Sequence, residues 1–318
     1  MLSTTKQISS AVSVILPVYN GGEYLLLSVQ SVLEQTTDKF EFLILDDCST
    51  DGSWSYISSI KDPRVKIFRN DENSGLFFNI NFLIKKSKSQ LIKLWSQDDI
   101  MYKNCLQTVI EFHEKYPRIG FSYSGRDIIN GKGEVIRRND DDTTPEIVAT
   151  NLHALIAFFT GSIAGNIANV CLNFNALEKV GLFKEDMKIS ADFDMWVRMA
   201  ERYDIGFIRD SLIQLRDHSG QLSRNESFYI NHVREDLQIY RYLLGYVSDP
   251  IKRRGRSMLR KHKFVFYYTL MIKSLLKGNL KVFFAFYKQL SSFDNFFILT
   301  FYFFKGKLFK PGKPEFVV

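Results

Sequence analysis

VSVILPV, residues 12–18, is apolar and β-branched almost throughout, and GGEYLLLSVQSVLEQ, residues 21–35, follows it at once. An unbroken apolar run of that length predicts a strand covered on both faces. In the second segment Tyr24, Leu25, Leu27, Val29, Val32 and Leu33 recur at helical spacing and predict a helix buried along a broad stripe. The alternation continues outward from this pair. FEFLILDD (40–47) reads as a strand ending in acids, DGSWSYISSI (51–60) as a short helix and RVKIFRN (64–70) as a third strand. GLFFNINFLIKKS (75–87) reads as a helix, and QLIKLW (90–95) as a fourth strand running into SQDDI. The order β-α-β-α-β-α-β predicts an α/β fold with a mostly parallel sheet and helices on both faces. In such sheets ligands bind beyond the carboxyl ends of the strands, where both acidic pairs fall.

Farther along, a helix is predicted around residues 102–116, and IGFSYSGRDIINGKGEVI (119–136) reads as two strands joined by a turn at Asn130–Gly133. RNDDDTTPE (138–146) reads as an exposed loop and IANVCLNF (167–174) as a strand. DFDMWVRMAERY (192–203) is an amphipathic helix with Phe193, Trp196, Val197 and Met199 turned inward, and IGFIRDSLIQLR (205–216) supplies closing strands. One domain is expected over residues 1–223 and a helical region over 224–318.

The chain has 318 residues, 45% of them hydrophobic, and a net charge of +7. The charge is unevenly placed: residues 252–313 hold fifteen Lys and Arg against the single acid Asp294, which leaves the rest of the chain acidic. Twelve Phe fall between residues 264 and 309. A basic, aromatic-rich helical segment suits the headgroup region of an anionic membrane; packing of these rings on the rest of the chain is the alternative. No nucleic-acid-binding module is recognisable. No apolar run approaches the roughly 20 residues needed to span a bilayer, and the N-terminal residues lack the zones of a signal peptide, so the expected location is cytoplasmic, peripheral on the inner face of the membrane. Cys48, Cys105 and Cys171 are too scattered for a disulfide framework or a zinc site and are expected to be reduced thiols.

Four polar sites fall at strand ends or helix starts: Asp46-Asp47, Asn73 with Gly75, Asp98-Asp99, and Asp192. Any one of them could be a helix cap. Adjacent carboxylates repel unless a cation or hydrogen-bond donors compensate, so Asp98-Asp99 suits a hard divalent ion, Mg2+ or Mn2+, whose shell phosphates complete. VSVILPVYN, LDDCSTDGS, the Asn73–Asn81 segment, SQDD, ADFDMWVR and LRDHSGQLS together resemble, in order and spacing, the family 2 glycosyltransferases with the GT-A fold, over residues 11–223. The resemblance implies an inverting transfer from a nucleotide sugar, UDP- or dTDP-linked, to a hydroxyl of a glycan or lipid-linked acceptor in cell-surface polysaccharide synthesis. It implies that Pro17, Tyr19, Asn20, Asp47 and Asn73 line the nucleotide site, that Asp98 and Asp99 hold ribose, metal and diphosphate, and that Asp192 is the catalytic base.

Arg216 and His218 are candidates for the diphosphate and for ordering the closing loop. Asp192, at a helix start, is expected to stay ionised with the helix dipole, and Asp194 is expected to be a surface charge. The chain departs from the family pattern at Ser96 and Ala191, where acids are usual, and at Cys48, where glycine is frequent. A nucleotidyltransferase and an inactive sugar-nucleotide or membrane-binding scaffold are the alternatives.

Overall fold

The computed structural model describes residues 11–138, 142–218 and 229–309. They divide into two compact units that interleave along the chain: residues 1–148, 164–185 and 202–221 in unit 1, and 149–163, 186–201 and 222–318 in unit 2.

Unit 1 holds the whole sheet. Its strands are β1 (Val12–Val18), β2 (Phe40–Asp46), β3 (Val65–Arg69), β4 (Leu91–Leu94), β5 (Ile100–Met101), β6 (Phe121–Ile129), β7 (Val135–Arg137), β8 (Ile147–Val148), β9 (Val170–Asn173) and β10 (Ile205–Arg216). The order is β3-β2-β1-β4-β9-β6-β10-β5, with β7 on β6 and β8 on β10. β3, β2, β1 and β4 run parallel, as do β6 and β10, while β9 is antiparallel between β4 and β6. The fold is therefore the expected α/β one. The closing segment is one strand, β10, broken by register shifts around Ser211, where two strands were expected. The turn at Asn130–Gly133 forms as read, with the Gly133 N–H donating to Asn130 O at 3.0 Å.

The helices of unit 1 are α1 (Leu25–Leu33), α2 (Ser53–Ser58), α3 (Leu76–Lys86), α4 (Cys105–Lys115) and α6 (Phe174–Val180). Val12, Val14, Leu16 and Val18 of β1 join one buried cluster with Leu25, Val29 and Val32 of α1 and Leu106, Val109 and Ile110 of α4. Ile15 points the other way by the period of two, toward the side where α3 lies on β1 and β2. Both faces are covered, which is why β1 reads as a continuous apolar run.

Unit 2 is helical: α5 (Thr150–Thr160), α7 (Ala191–Ala200), α8 (Tyr229–Tyr246), α9 (Asp249–Lys261), α10 (Lys263–Leu276), α11 (Leu280–Phe293) and α12 (Phe296–Leu308). Phe193, Trp196, Val197 and Met199 of α7 are buried as expected. Gly278, at φ +73°, turns the chain between α10 and α11, so Lys273 and Lys281 stand on different helices. One reading is corrected here. Asp194 is no surface charge: it is 4% exposed and pairs with Arg198 one turn on, at 2.6 Å. No helix among the described residues is long and apolar enough to cross a membrane.

Candidate active site

In unit 1 the loops beyond β1, β2 and β4 are bound to one another. The β1–β4 ladder ends at Ile15 and Leu94, so Pro17, whose ring nitrogen has no hydrogen to give, sits where no partner strand needs one. The exposed Tyr19 is bracketed by Gln97, which accepts its N–H at 2.9 Å and donates to its carbonyl at 3.1 Å. Asn20 adopts φ +48°, its N–H donates to Ser49 Oγ at 3.0 Å and its Oδ1 accepts from the Thr50 N–H at 2.8 Å. Gly21 N–H donates to Ser53 Oγ at 2.9 Å. STDGS thus organises the turn after β1 as well as starting α2.

Asp47, 2% exposed, accepts from Asn70 Nδ2 and the Ser74 N–H, each at 2.8 Å, and from the Gly75 N–H at 3.0 Å. It fastens the loop that carries the exposed Asn73. Cys48, beside it, lies at φ +61°, a left-handed conformation that glycine adopts without a Cβ clash. All three cysteines are free thiols.

The opening acids of the β4 loop are asymmetric. Asp98 keeps 21% of its side chain exposed; its carboxylate accepts from Ser96 Oγ and lies 3.0 Å from His218 Nε2. Asp99 is 2% exposed, with Oδ1 accepting the Arg216 N–H at 2.9 Å and Oδ2 buried without a hydrogen-bond partner among the described residues. Burial, and next the neighbouring Asp98, push the Asp99 carboxyl well above the usual carboxylate range. Beneath it lies Lys93, 1% exposed, whose ammonium donates to Ala168 O and whose pKa burial lowers.

Arg216, at the end of β10, is 2% exposed and is a brace: Nε donates to Asp98 O at 2.9 Å, and Nη1 to Asn130 O at 3.0 Å and Gly131 O at 3.2 Å. Its guanidinium lies 4.3 Å from the Tyr24 ring centroid, and the His218 ring lies 5.2 Å from the same ring. The remainder of LRDHSGQLS, from Ser219, is outside the described residues. A buried carboxylate oxygen with no donor, next to a partly exposed carboxylate, fits a hard cation. No group of three His, Cys, Asp or Glu that could hold a metal occurs among the described residues, so most of such an ion's shell would be water or ligand oxygen.

In unit 2, Asp192 stands in the first turn of α7 and is half-buried. The loop before it is held by Glu235 of α8, whose carboxylate accepts the N–H groups of Lys188, Ile189 and Ser190 at 2.9, 3.0 and 2.9 Å. Asp236 accepts from Ser190 Oγ at 2.8 Å and Tyr267 Oη at 2.5 Å, and lies 3.5 Å from His232. Burial first, then Asp236, raise the Asp192 pKa to about 6, against the Phe193 N–H and His232, which lower it. The helix-start environment therefore does not keep this carboxyl in the ordinary range, contrary to the dipole argument. Glu235 and Asp236 went unrecognised in the sequence; their signal is that they share the helical stripe of Val233, Leu237 and Tyr240, which α8 buries.

Residues 13–171, half of the chain, match the model of the family described as glycosyl transferase family 2. An uncharacterized glycosyltransferase of Rickettsia felis is 29% identical over 226 residues, 70% of this chain and 36% of that protein, so the chain spans about a third of this relative's length. The putative colanic acid biosynthesis glycosyl transferase WcaA of Escherichia coli K12 is 26% identical over 197 residues, 60% of this chain and 67% of WcaA. In structure, Staphylococcus aureus TarS 1–349 in complex with UDP-GlcNAc superposes with a TM-score of 0.62 at 18% identity, over 79% of this chain and 70% of that one, a likeness of fold. The loops, the carboxylates they carry and the span of the family match agree: the chain belongs to glycosyl transferase family 2.

Proposed function

We propose that the chain is an inverting glycosyltransferase that moves a sugar from a nucleoside-diphosphate donor to a hydroxyl of a glycan or lipid-linked acceptor during surface polysaccharide synthesis. One observation carries this reading: Asp98 and Asp99 sit on a loop beyond β4 that Arg216 fixes from below, with one carboxylate partly exposed and the other retaining a donor-free oxygen. TarS with UDP-GlcNAc and the colanic acid assignment of WcaA support the donor class and the setting.

In this reading Tyr19, Asn20, Asp47 and Asn73, with Pro17, form the nucleoside side of the site, and Asp98 and Asp99 hold a divalent ion. When bound, Mg2+ or Mn2+ would supply Lewis-acid stabilisation of charge on the departing diphosphate. The chain's own chemistry is at Asp192: its carboxylate accepts the acceptor hydroxyl's proton as that oxygen attacks the anomeric carbon from the face opposite the leaving group. Arg216 acts through Asp98 and Asp99, and His218 orients Asp98.

The setting we propose is the inner face of the cytoplasmic membrane. Phe297, Phe301, Phe304 and Leu308 of α12, each more than 60% exposed, follow one another at four, three and four residues, with Lys305 and Lys307 interleaved. Such a face suits an anionic headgroup layer.

Calorimetric titration with UDP and dTDP, with and without Mn2+, tests the donor site. Metal-dependent binding that disappears in Asp98→Ala and survives in Asp192→Asn is expected. Equal binding by wild type and Asp98→Ala would overturn it, and release of pyrophosphate in place of nucleoside diphosphate during turnover would make the protein a nucleotidyltransferase.

A further inference from the structure

Unit 2 also contains a cleft of about 310 Å³ walled by α8, α9 and the end of α11. α9 contributes Lys252, Arg256 and Arg260, four residues apart and therefore on one face, and α8 contributes Arg241. Asp294 is the one acid in the lining, and Arg260 engages it with two hydrogen bonds of 2.6 and 2.8 Å. Arg241 is held by the Ser292 carbonyl and hydroxyl at 3.2 and 2.9 Å, with its guanidinium 5.2 Å from the Phe293 ring centroid. Among the described residues Lys252 has only the mostly exposed Asp249 as an ion-pair partner, at 3.6 Å, and Arg256 has no side-chain hydrogen bond or ion pair.

Four cations against one acid make an electrostatically incomplete site. Like charges one helical turn apart destabilise the helix that carries them, so an anion between them would relieve the repulsion. Two of the guanidinium groups are already fixed by Asp294, Ser292 and Phe293, which lowers the ordering cost of binding. Planar guanidinium forks and a lysine point charge match phosphate oxygens.

We propose that this cleft binds a phosphate group, supplied either by a soluble organic or inorganic phosphate or by a phospholipid headgroup. The phosphate oxygens sit between Arg256 and Lys252, and the flank of Phe293 takes the apolar part of the ligand. The proposal stands apart from the donor-site reading, since none of these residues belongs to it.

The probes are inorganic pyrophosphate, followed by calorimetry, and phosphatidylcholine vesicles with and without phosphatidic acid, followed by co-sedimentation, both with the full chain. Arg256→Glu is compared with Arg253→Glu, which makes the same charge change on the same helix outside the cleft; both side chains are exposed, and circular dichroism checks that the fold persists. Binding elsewhere on the chain cancels in the comparison. Arg256→Glu is expected to weaken binding at least about tenfold, the loss of one charge-assisted hydrogen bond, with Arg253→Glu close to wild type. If that difference appears with pyrophosphate, a soluble phosphate is the ligand; if it appears only with phosphatidic acid vesicles, the headgroup is. Equal losses in the two variants, or no binding of either probe by wild type, would overturn the proposal.

Discussion

Two places in the molecule bring carboxylates together, and they compensate the repulsion differently. Asp98 and Asp99 in unit 1 are braced by Arg216, which bonds Asp99 Oδ1 and the Asp98 carbonyl, and by the His218 ring against Asp98, with Lys93 beneath, while burial still raises the Asp99 carboxyl. Asp192 and Asp236 in unit 2 have hydroxyls and one imidazole instead, from Ser190, Tyr267 and His232, with no lysine or arginine among the causes of the Asp192 shift. The braces hold the Asp98–Asp99 pair in one arrangement and suit it to binding. Asp192, raised to about 6, has a proton affinity near neutrality, the condition for a general base.

The sharpest way to break the contrast is Asp192→Asn. Loss of a general base lowers turnover by about 10²–10⁴-fold, while UDP binding, measured by calorimetry, stays at the wild-type level. The same change stabilises the fold at neutral pH. Asp192 is raised from 3.8 to about 6, so the folded chain binds more protons than the unfolded one between those values, and stability falls as pH rises through that window. The melting temperature of Asp192→Asn therefore exceeds wild type at pH 7 and converges on it near pH 4. A variant that loses turnover and stability together would place Asp192 in the packing instead of the chemistry.

Arg216→Ala strikes the other site. It leaves Asp99 Oδ1 its backbone donor but removes the buried cation and the bonds to Asp98, Asn130 and Gly131, and deleting one partner of a buried charged cluster costs about 3–5 kcal/mol. Chemical denaturation should show a loss of that order, with nucleotide binding falling in parallel.

A smaller effect separates the sites by pH. The rate constant for transfer should fall tenfold per pH unit below about 6, the value raised on Asp192 by burial and Asp236. Asp236→Asn removes the second of these causes and should move the inflection to lower pH. An inflection that does not move would assign it to another group.

These contrasts also explain what the chain's letters disclose. The β-α alternation was legible because β1, β2 and β4 are covered on both faces and the helices between the strands carry apolar stripes, both local periodic signals. Acids at the ends of β2 and β4 and at the start of α7 were legible for the same reason: an abrupt change from apolar to charged marks an element's end. The braces were not. Gln97 reaches Tyr19 across 78 residues and Arg216 reaches Asp98 across 118, and no period or spacing encodes such pairings. Lys93 carries no local signal in QLIKLW, yet in a strand covered on both faces it has no solvent to point into. The interleaved units escaped notice because α5 and α7 lie in sequence between strands of the sheet although they cluster with the C-terminal helices.

The smallest prediction concerns how the loops of the two sites are held. Among the described residues the non-glycine positions at positive φ are Asn20 and Cys48, both in the unit 1 loops, whereas the loop before Asp192 has none and relies on Glu235. A left-handed conformation costs a non-glycine residue about 1–2 kcal/mol, and glycine's greater unfolded-state entropy cancels about 0.5–1 kcal/mol of the relief. Cys48→Gly also gives up the weak contact of Sγ to Asp71 O at 3.4 Å. The net gain should thus be under about 1 kcal/mol. Cys48→Val, with a branched Cβ at φ +61°, should lose about 1–3 kcal/mol. A Gly variant no more stable than Val would mean that the thiol, and not the backbone, keeps Cys48 in place, and the two sites would then differ less than their backbones do.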